Sequence, residues 1–279
     1  MLAEYPSGSF LENLTVLDDG AIVFTNYFAK TLEIIEPGKP ARVYASLPAH
    51  PVSVLRIGDT WLVAAHGEAF VSGPGFLETQ QFLILSSDGA LQKTVPAPEA
   101  RFLNGMVGHA DGEVLVADSV AATIWRFDPR SGRLTAWLRA SELSQDPAQR
   151  AFQPGANGLK RNGDRLIVSN SSRGTLSYVV NDSRGLPASG VELLARVGAI
   201  DDFIVEPDGA ILFTTHSAAL KRWRQGETTD VLASGCDGCT AVAPLVASSG
   251  RTDLIVLTTG ALPGNSKGPA KVLRIRPAS

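Results

Sequence analysis

Four short segments put an acid or an amide at the head of an apolar run: Glu12-Asn13-Leu14, Asn104-Gly105-Met106, Asn157-Gly158-Leu159 and Asp201-Asp202-Phe203. Carboxylates and carboxamides offer two kinds of chemistry. A carboxylate in reach of a water can take its proton. Several such oxygens aimed at one point can also hold a cation, because two carboxylates in one small space repel unless a proton or a cation intervenes. A set built from Glu, Asn and Asp is all oxygen and suits a hard divalent ion better than a soft one. Ca²⁺ is the first choice, with Mg²⁺, Mn²⁺ or Zn²⁺ as alternatives. The plainer role for Asn and Asp at such places is hydrogen bonding in turns, and both readings stand at this point.

For these segments to converge, distant parts of the chain must return to one place, and an internal repeat predicts that they do. Six runs align: Ala21-Ile22-Val23-Phe24-Thr25-Asn26, Thr60-Trp61-Leu62-Val63-Ala64-Ala65, Glu113-Val114-Leu115-Val116-Ala117-Asp118, Arg165-Leu166-Ile167-Val168-Ser169-Asn170, Ala210-Ile211-Leu212-Phe213-Thr214-Thr215 and Asp253-Leu254-Ile255-Val256-Leu257-Thr258. The copies recur every 39 to 53 residues, a period that belongs to propellers and solenoids. Each follows a turn of the Asp-Gly, Gly-Asp or Ser-Gly kind; Asp208-Gly209 between two β-rich runs is a strong hairpin signal. A third strand follows every copy (31–36, 82–87, 123–128, 175–180, 220–224, 271–276), and a fourth follows all but the last (42–47, 91–95, 134–138, 191–196, 229–233). The chain runs out at Pro277, and residues 2–5 are left over to supply the missing outer strand and close a ring. The expectation is an all-β, six-bladed propeller of four-stranded antiparallel blades in a single domain, residues 1–279. A β-sandwich would not explain six copies of one unit. Helix is nearly absent; residues 141–150 could form one short helix with Ser141 as its cap.

A propeller fixes directions. The starts of innermost strands and the ends of second strands fall on one face, because neighbouring strands in a blade are antiparallel. In a six-fold ring blade one faces blade four, so Glu12 is expected to look across the channel at Asn157, with Asn104 and Asp201 on either side.

Composition narrows the function classes. The chain has 279 residues, 44% of them hydrophobic, and a net charge of −3 with no Lys/Arg run. Nucleic-acid binding is not expected. No apolar stretch reaches membrane-spanning length, the N-terminus shows no signal-peptide pattern, and two cysteines make no disulfide framework. A cytoplasmic protein, monomeric or weakly self-associating, that takes a small-molecule substrate is the expectation.

The segments Phe10-Leu11-Glu12-Asn13-Leu14, Phe102-Leu103-Asn104-Gly105-Met106, Gly155-Ala156-Asn157-Gly158-Leu159-Lys160 and Asp201-Asp202-Phe203 together resemble the senescence marker protein/gluconolactonase/luciferin-regenerating-enzyme family. The resemblance extends over essentially the whole chain. It implies a six-bladed propeller with one catalytic divalent cation in its central channel. Glu12, Asn157 and Asp201 match the metal-binding positions, and Asn104 matches a position that helps bind substrate or metal. Asp201 also matches a proposed general base. There is a departure at Phe102, where sugar lactonases of the family often carry an Arg. Phe cannot grip a sugar hydroxyl or carboxylate, which points to a less polar ligand. The same wording resembles propellers of natural-product pathways, some of which guide cyclisation without hydrolysis.

Two functions follow as expectations. One is a divalent-metal-dependent hydrolase of a lactone or related ester, with Asp201 or Asp202 as base. The other is a propeller that binds an apolar small molecule and promotes cyclisation or isomerisation. The predicted substrate-binding set is Asn104, Phe102, Met106, Asp118, His66 and His216. Residues 67–80, with Phe70, Val71, Phe76 and Leu77, read as a candidate lid, and residues 261–269 form a comparable loop on blade six. Cys236 and Cys239 are at best half a zinc site, and the four tryptophans read as inter-blade packing.

Overall fold

The computed structural model describes residues 1–232, 234–246, 250–260 and 268–276. The chain is a six-bladed β-propeller: six separate sheets, each of four antiparallel strands, with only short 3₁₀ turns beside them among the described residues. In five blades the strands follow chain order. In the sixth, Ala3–Ser7 pairs with Pro269–Ile275 and completes the sheet as its outermost strand. Of the predicted strands, Ala233, the end of the fourth strand in blade five, lies outside the described residues. So do Ser249, at the turn of blade six, most of the 261–269 loop, and Pro277. The short helix predicted over 141–150 is reduced to a single 3₁₀ turn, Ser141–Leu143. The following segment is instead tied down in irregular form: Asn170 Nδ2 donates to the Glu142 and Ser144 carbonyls, and Arg173 donates to Ser144.

The repeated turn chemistry works through side chains. Asp19 and Asp208 each turn a carboxylate oxygen onto the amide two residues on, at 2.9 and 3.0 Å, which closes the hairpin locally. In blade three, Asp111 and Gly112 both have positive φ, 56° and 77°, as a type I′ turn requires.

The chain divides into two compact units, one of residues Met1–Val54 with Asp202–Ser279 and one of Leu55–Asp201. In the first, Phe24, Leu11 and Ile22 of blade one pack against Ala241, Ile255 and Val272 of blade six. In the second, Leu62 and Phe82 of blade two meet Val116 and Phe127 of blade three. The Phe82 and Phe127 rings stack with centroids 3.9 Å apart. Burying each such ring contributes about 1.5–3 kcal/mol, so blade-to-blade packing, not isolated hairpins, holds each unit together.

Between neighbouring blades run hydroxyl staples. Ser119 Oγ donates to the Ala156 carbonyl at 2.7 Å, and Ser169 Oγ to the Asp201 carbonyl at 2.6 Å. Thr214 Oγ1 reaches the Thr240 carbonyl at 2.8 Å. Each staple fixes the backbone where the next innermost strand begins, which is where the acid and amide residues stand.

Candidate functional site

A β-bulge recurs at the head of the innermost strands. In blade three Leu103 pairs with Asp118 and Met106 with Val116, so Asn104 and Gly105 share one opposite residue. Blade four repeats this at Asn157-Gly158, opposite Ser169. In the other unit, blade one does so at Glu12-Asn13, opposite Thr25, and blade six at Thr240-Ala241. A bulge re-aims its first side chain out of the ladder. Where the opposite residue is Thr25 or Ser169, its hydroxyl accepts the N–H of the second bulge residue, at 3.0 Å from Asn13 and 2.7 Å from Gly158. Thr214 plays that part for Asp202 at 3.1 Å.

Within the Leu55–Asp201 unit the side chains at these strand heads form two buried polar groups. The Asn157 amide nitrogen donates to Asp201 Oδ1 and, at 2.9 Å, to Ser171 Oγ. Asn104 Nδ2 donates to Ser119 Oγ at 3.2 Å. Asn104, Asn157 and Asp201 are 5%, 3% and 2% exposed, so any ligand they meet is met away from bulk water. Gly105 sets how closely the two blades approach. A Cβ there would stand 2.5 Å from the Asn157 carbonyl oxygen and 3.0 Å from Gly158 Cα. Gly105→Ala is therefore expected to destabilise the protein by about 2–4 kcal/mol and to displace Asn157; urea unfolding beside metal binding reads both effects.

In the unit of Met1–Val54 and Asp202–Ser279, Glu12 occupies the equivalent bulge position and keeps one carboxylate oxygen shielded from solvent. Asp202 is turned elsewhere: its Oδ2 accepts the Val242 N–H at 3.5 Å, much as Asn13 Oδ1 accepts Val54 N–H at 3.1 Å. The second bulge residue thus bridges blades, while the first is the one presented.

Beside Asn104 stands an aromatic wall. Phe102 lies edge-on to His66 and Phe76, with centroids 4.7 and 5.5 Å away, and stacks on Phe152 at 5.5 Å. His66 is fully buried behind it, with Nε2 3.2 Å from the Leu103 carbonyl. Phe152 is 56% exposed and carries the wall outward. The candidate lid is pinned rather than free at its centre. Gln80 Nε2 donates to the Phe76 carbonyl while Gln80 Oε1 takes the Leu103 N–H, at 3.0 and 2.9 Å.

The remaining predicted residues stand as follows. Met106 lies in the core shared by blades two and three. Asp118 is fully buried, and its two oxygens accept N–H groups of Arg101, Phe102, Val120, Ala121 and Trp125. His216 adopts φ 55° and donates its backbone N–H to Cys239. Cys236 and Cys239 are buried free thiols in an apolar cluster; a hydrogen bond with Cys239 and burial push the Cys236 thiol up. Phe76 is a lid residue of the sequence reading, whereas Ser119, Ser171 and Phe152 lie outside it. A signal existed for the serines: each follows the polar end of a second strand, as Asp118-Ser119 and Asn170-Ser171.

Among the described residues no three His, Cys, Asp or Glu side chains gather as a metal site. An ion here would depend on amide oxygen as well as carboxylate. Asn157 can supply it by a half-turn of its amide, since Ser171 Oγ both donates and accepts. The donor set therefore fits a hard, oxygen-seeking cation.

No protein-family model and no curated protein matched the sequence. Solved structures do. A luciferin-regenerating enzyme superposes with a TM-score of 0.71 at 13% identity, over 97% of this chain and 92% of that one. The shared property is the fold. A calcium-binding regucalcin from Agrobacterium tumefaciens follows at 0.66 and 14%, over 99% and 95% of the two chains; it and the luciferin-regenerating enzyme are six-bladed propellers. A virginiamycin B lyase from Staphylococcus aureus gives 0.59 and 13%, over 99% and 88%. No helix among the described residues is long and apolar enough to cross a membrane.

Proposed function

We propose that the chain is an enzyme that hydrolyses a lactone or related ester, less polar than a sugar lactone, with one divalent cation held by Asp201, Asn157 and Glu12. The observation that carries this reading is the buried contact between the Asn157 amide and the Asp201 carboxylate at the heads of two blades. Glu12 enters as third ligand on its matching bulge and motif. Supporting it, the similar folds include a calcium-binding protein and proteins named as enzymes.

A divalent cation, when bound, supplies Lewis-acid polarisation of the carbonyl and lowers the pKa of water. The remaining work falls to side chains. Asp201 takes the proton that the attacking water loses. The water oxygen bonds to the carbonyl carbon, the ring C–O bond breaks, and the leaving oxygen takes up a proton to give the hydroxy acid. Asn104, steadied by Ser119, orients the substrate, and Phe102 with Phe152 covers its apolar part. Metal analysis of the purified protein is expected to find about one divalent ion per chain. Chelation should abolish turnover of apolar lactones, and Glu12→Ala should lose the ion. Full turnover in the presence of chelator would reject the mechanism.

The aromatic wall also favours a second reading, in which the same pocket guides an apolar molecule through cyclisation or isomerisation. Product mass separates the two, since hydrolysis adds the mass of a water and isomerisation adds nothing.

A further inference from the structure

At the far end of the same innermost strands of blades three and four lies a cavity of about 790 Å³. It is built from the blade-three turn at 108–111, the blade-four turn at 163–164 and the connection 181–185. None of the residues assigned to the reaction lines it. In its wall Asn181 is 92% buried, being 8% exposed, and neither its amide oxygen nor its amide nitrogen has a hydrogen-bond partner. A buried amide left wholly unsatisfied is rare and calls for an explanation such as a water or ligand that belongs beside it.

The neighbouring charges say what that ligand is. Arg161 is half-buried, with Nε on the Gly108 carbonyl at 2.9 Å and Nη2 on His109 Nδ1. These contacts hold the guanidinium in place and leave Nη1 for a ligand. His109 is a buttress: Gly185 covers it so closely that a Cβ would stand 2.7 Å from the ring. Burial, and then the Arg161 charge, hold the His109 imidazole below its usual range, so it stays neutral and leaves Arg161 as the inner cation. Arg184 is already matched by Asp182 at 3.1 Å. The carboxylates of Asp111 and Asp164 stand on the exposed rim.

We propose that this cavity binds a small hydroxycarboxylate. Its carboxylate meets Arg161 Nη1, one hydroxyl both donates to and accepts from the Asn181 amide, and a further hydroxyl donates to Asp164 at the rim. A plain anion would leave Asn181 and the rim acids unmatched, and a neutral polyol would leave the guanidinium unmatched.

Calorimetric titration of the full-length protein with D-glycerate and L-tartrate, each of which carries two hydroxyls, tests this, with sulfate and erythritol as controls. Saturable binding of glycerate or tartrate with a Kd below about 1 mM is expected. Arg161→Gln and Asn181→Leu should each weaken it by about tenfold or more. Asn181→Leu removes only an unsatisfied amide, so it remains folded and carries the test if Arg161→Gln does not. Asp201→Ala, in the other site, should leave glycerate binding unchanged, which separates this site from any carboxylate bound at the proposed cation. The proposal is overturned by no saturation up to about 10 mM, by equal binding of sulfate, by wild-type affinity in Asn181→Leu, or by loss of binding in Asp201→Ala.

Discussion

Asp201→Ala is expected to lower kcat/KM on an apolar lactone by about 10³-fold or more. General-base assistance alone contributes about 10²–10⁴, and the same substitution removes a charged ligand of the proposed cation. The variant should fold, because the backbone of residue 201 is held independently of its side chain: Ser169 Oγ donates to its carbonyl at 2.6 Å. Asp201→Asn sharpens the experiment. It keeps the shape beside Asn157 but deletes the charge, so a comparable loss assigns the effect to ionisation and not to packing. Metal stoichiometry measured on both variants should fall together with turnover. Activity within tenfold of wild type in either would remove Asp201 from the chemistry.

The largest stability effect is expected at Asp118. Its carboxylate gathers five N–H groups, three on Oδ1 from Phe102, Val120 and Ala121, and two on Oδ2 from Arg101 and the Trp125 indole. All five contacts lie between 2.8 and 3.1 Å, around a side chain with no solvent exposure. Asp118→Ala strands these donors, and the expected loss is about 3–5 kcal/mol. The corresponding fall in Tm is on the order of 10 °C. Asp118→Asn should lie between, since an amide oxygen can keep the three partners of Oδ1 while its NH₂ opposes the two on the other side. A stable Asp118→Ala with weakened substrate affinity would instead restore this residue to the pocket.

That contrast shows where the sequence was readable. The propeller could be read because each copy carries its own apolar run and turn residues, and those signals are local. The positions of Asn104, Asn157 and Asp201 at the heads of their blades were legible because the three recur at one register. In a regular strand Met106 would share a face with Asn104, two residues before it. The bulge at Asn104-Gly105 breaks that rule: one extra residue re-phases the strand and sends Met106 into the core. Only the glycine hinted at it. Asp118 and Asn170 stand at the right end of their strands, yet they turn back to satisfy nearby backbone groups, Asp118 capping the Arg101–Phe102 and Val120–Ala121 amides. Nothing in residue type separates a carboxylate that serves a turn from one that serves a ligand. Phe152 carries no local signal, because its meeting with Phe102 depends on how an irregular segment is tied to Asn170 and Arg173.

The two compact units differ in how they use the order of synthesis. Residues Leu55–Asp201 are one continuous stretch, whereas the other unit joins Met1–Val54 to Asp202–Ser279. On a ribosome the continuous unit has every partner strand in hand while translation is still under way. By contrast the strand Ala3–Ser7 stays unpaired until its mate Pro269–Ile275, far later in the chain, has left the exit tunnel. Premature termination anywhere before that mate would strand the amino-terminal edge, exposed and ready to pair with another chain.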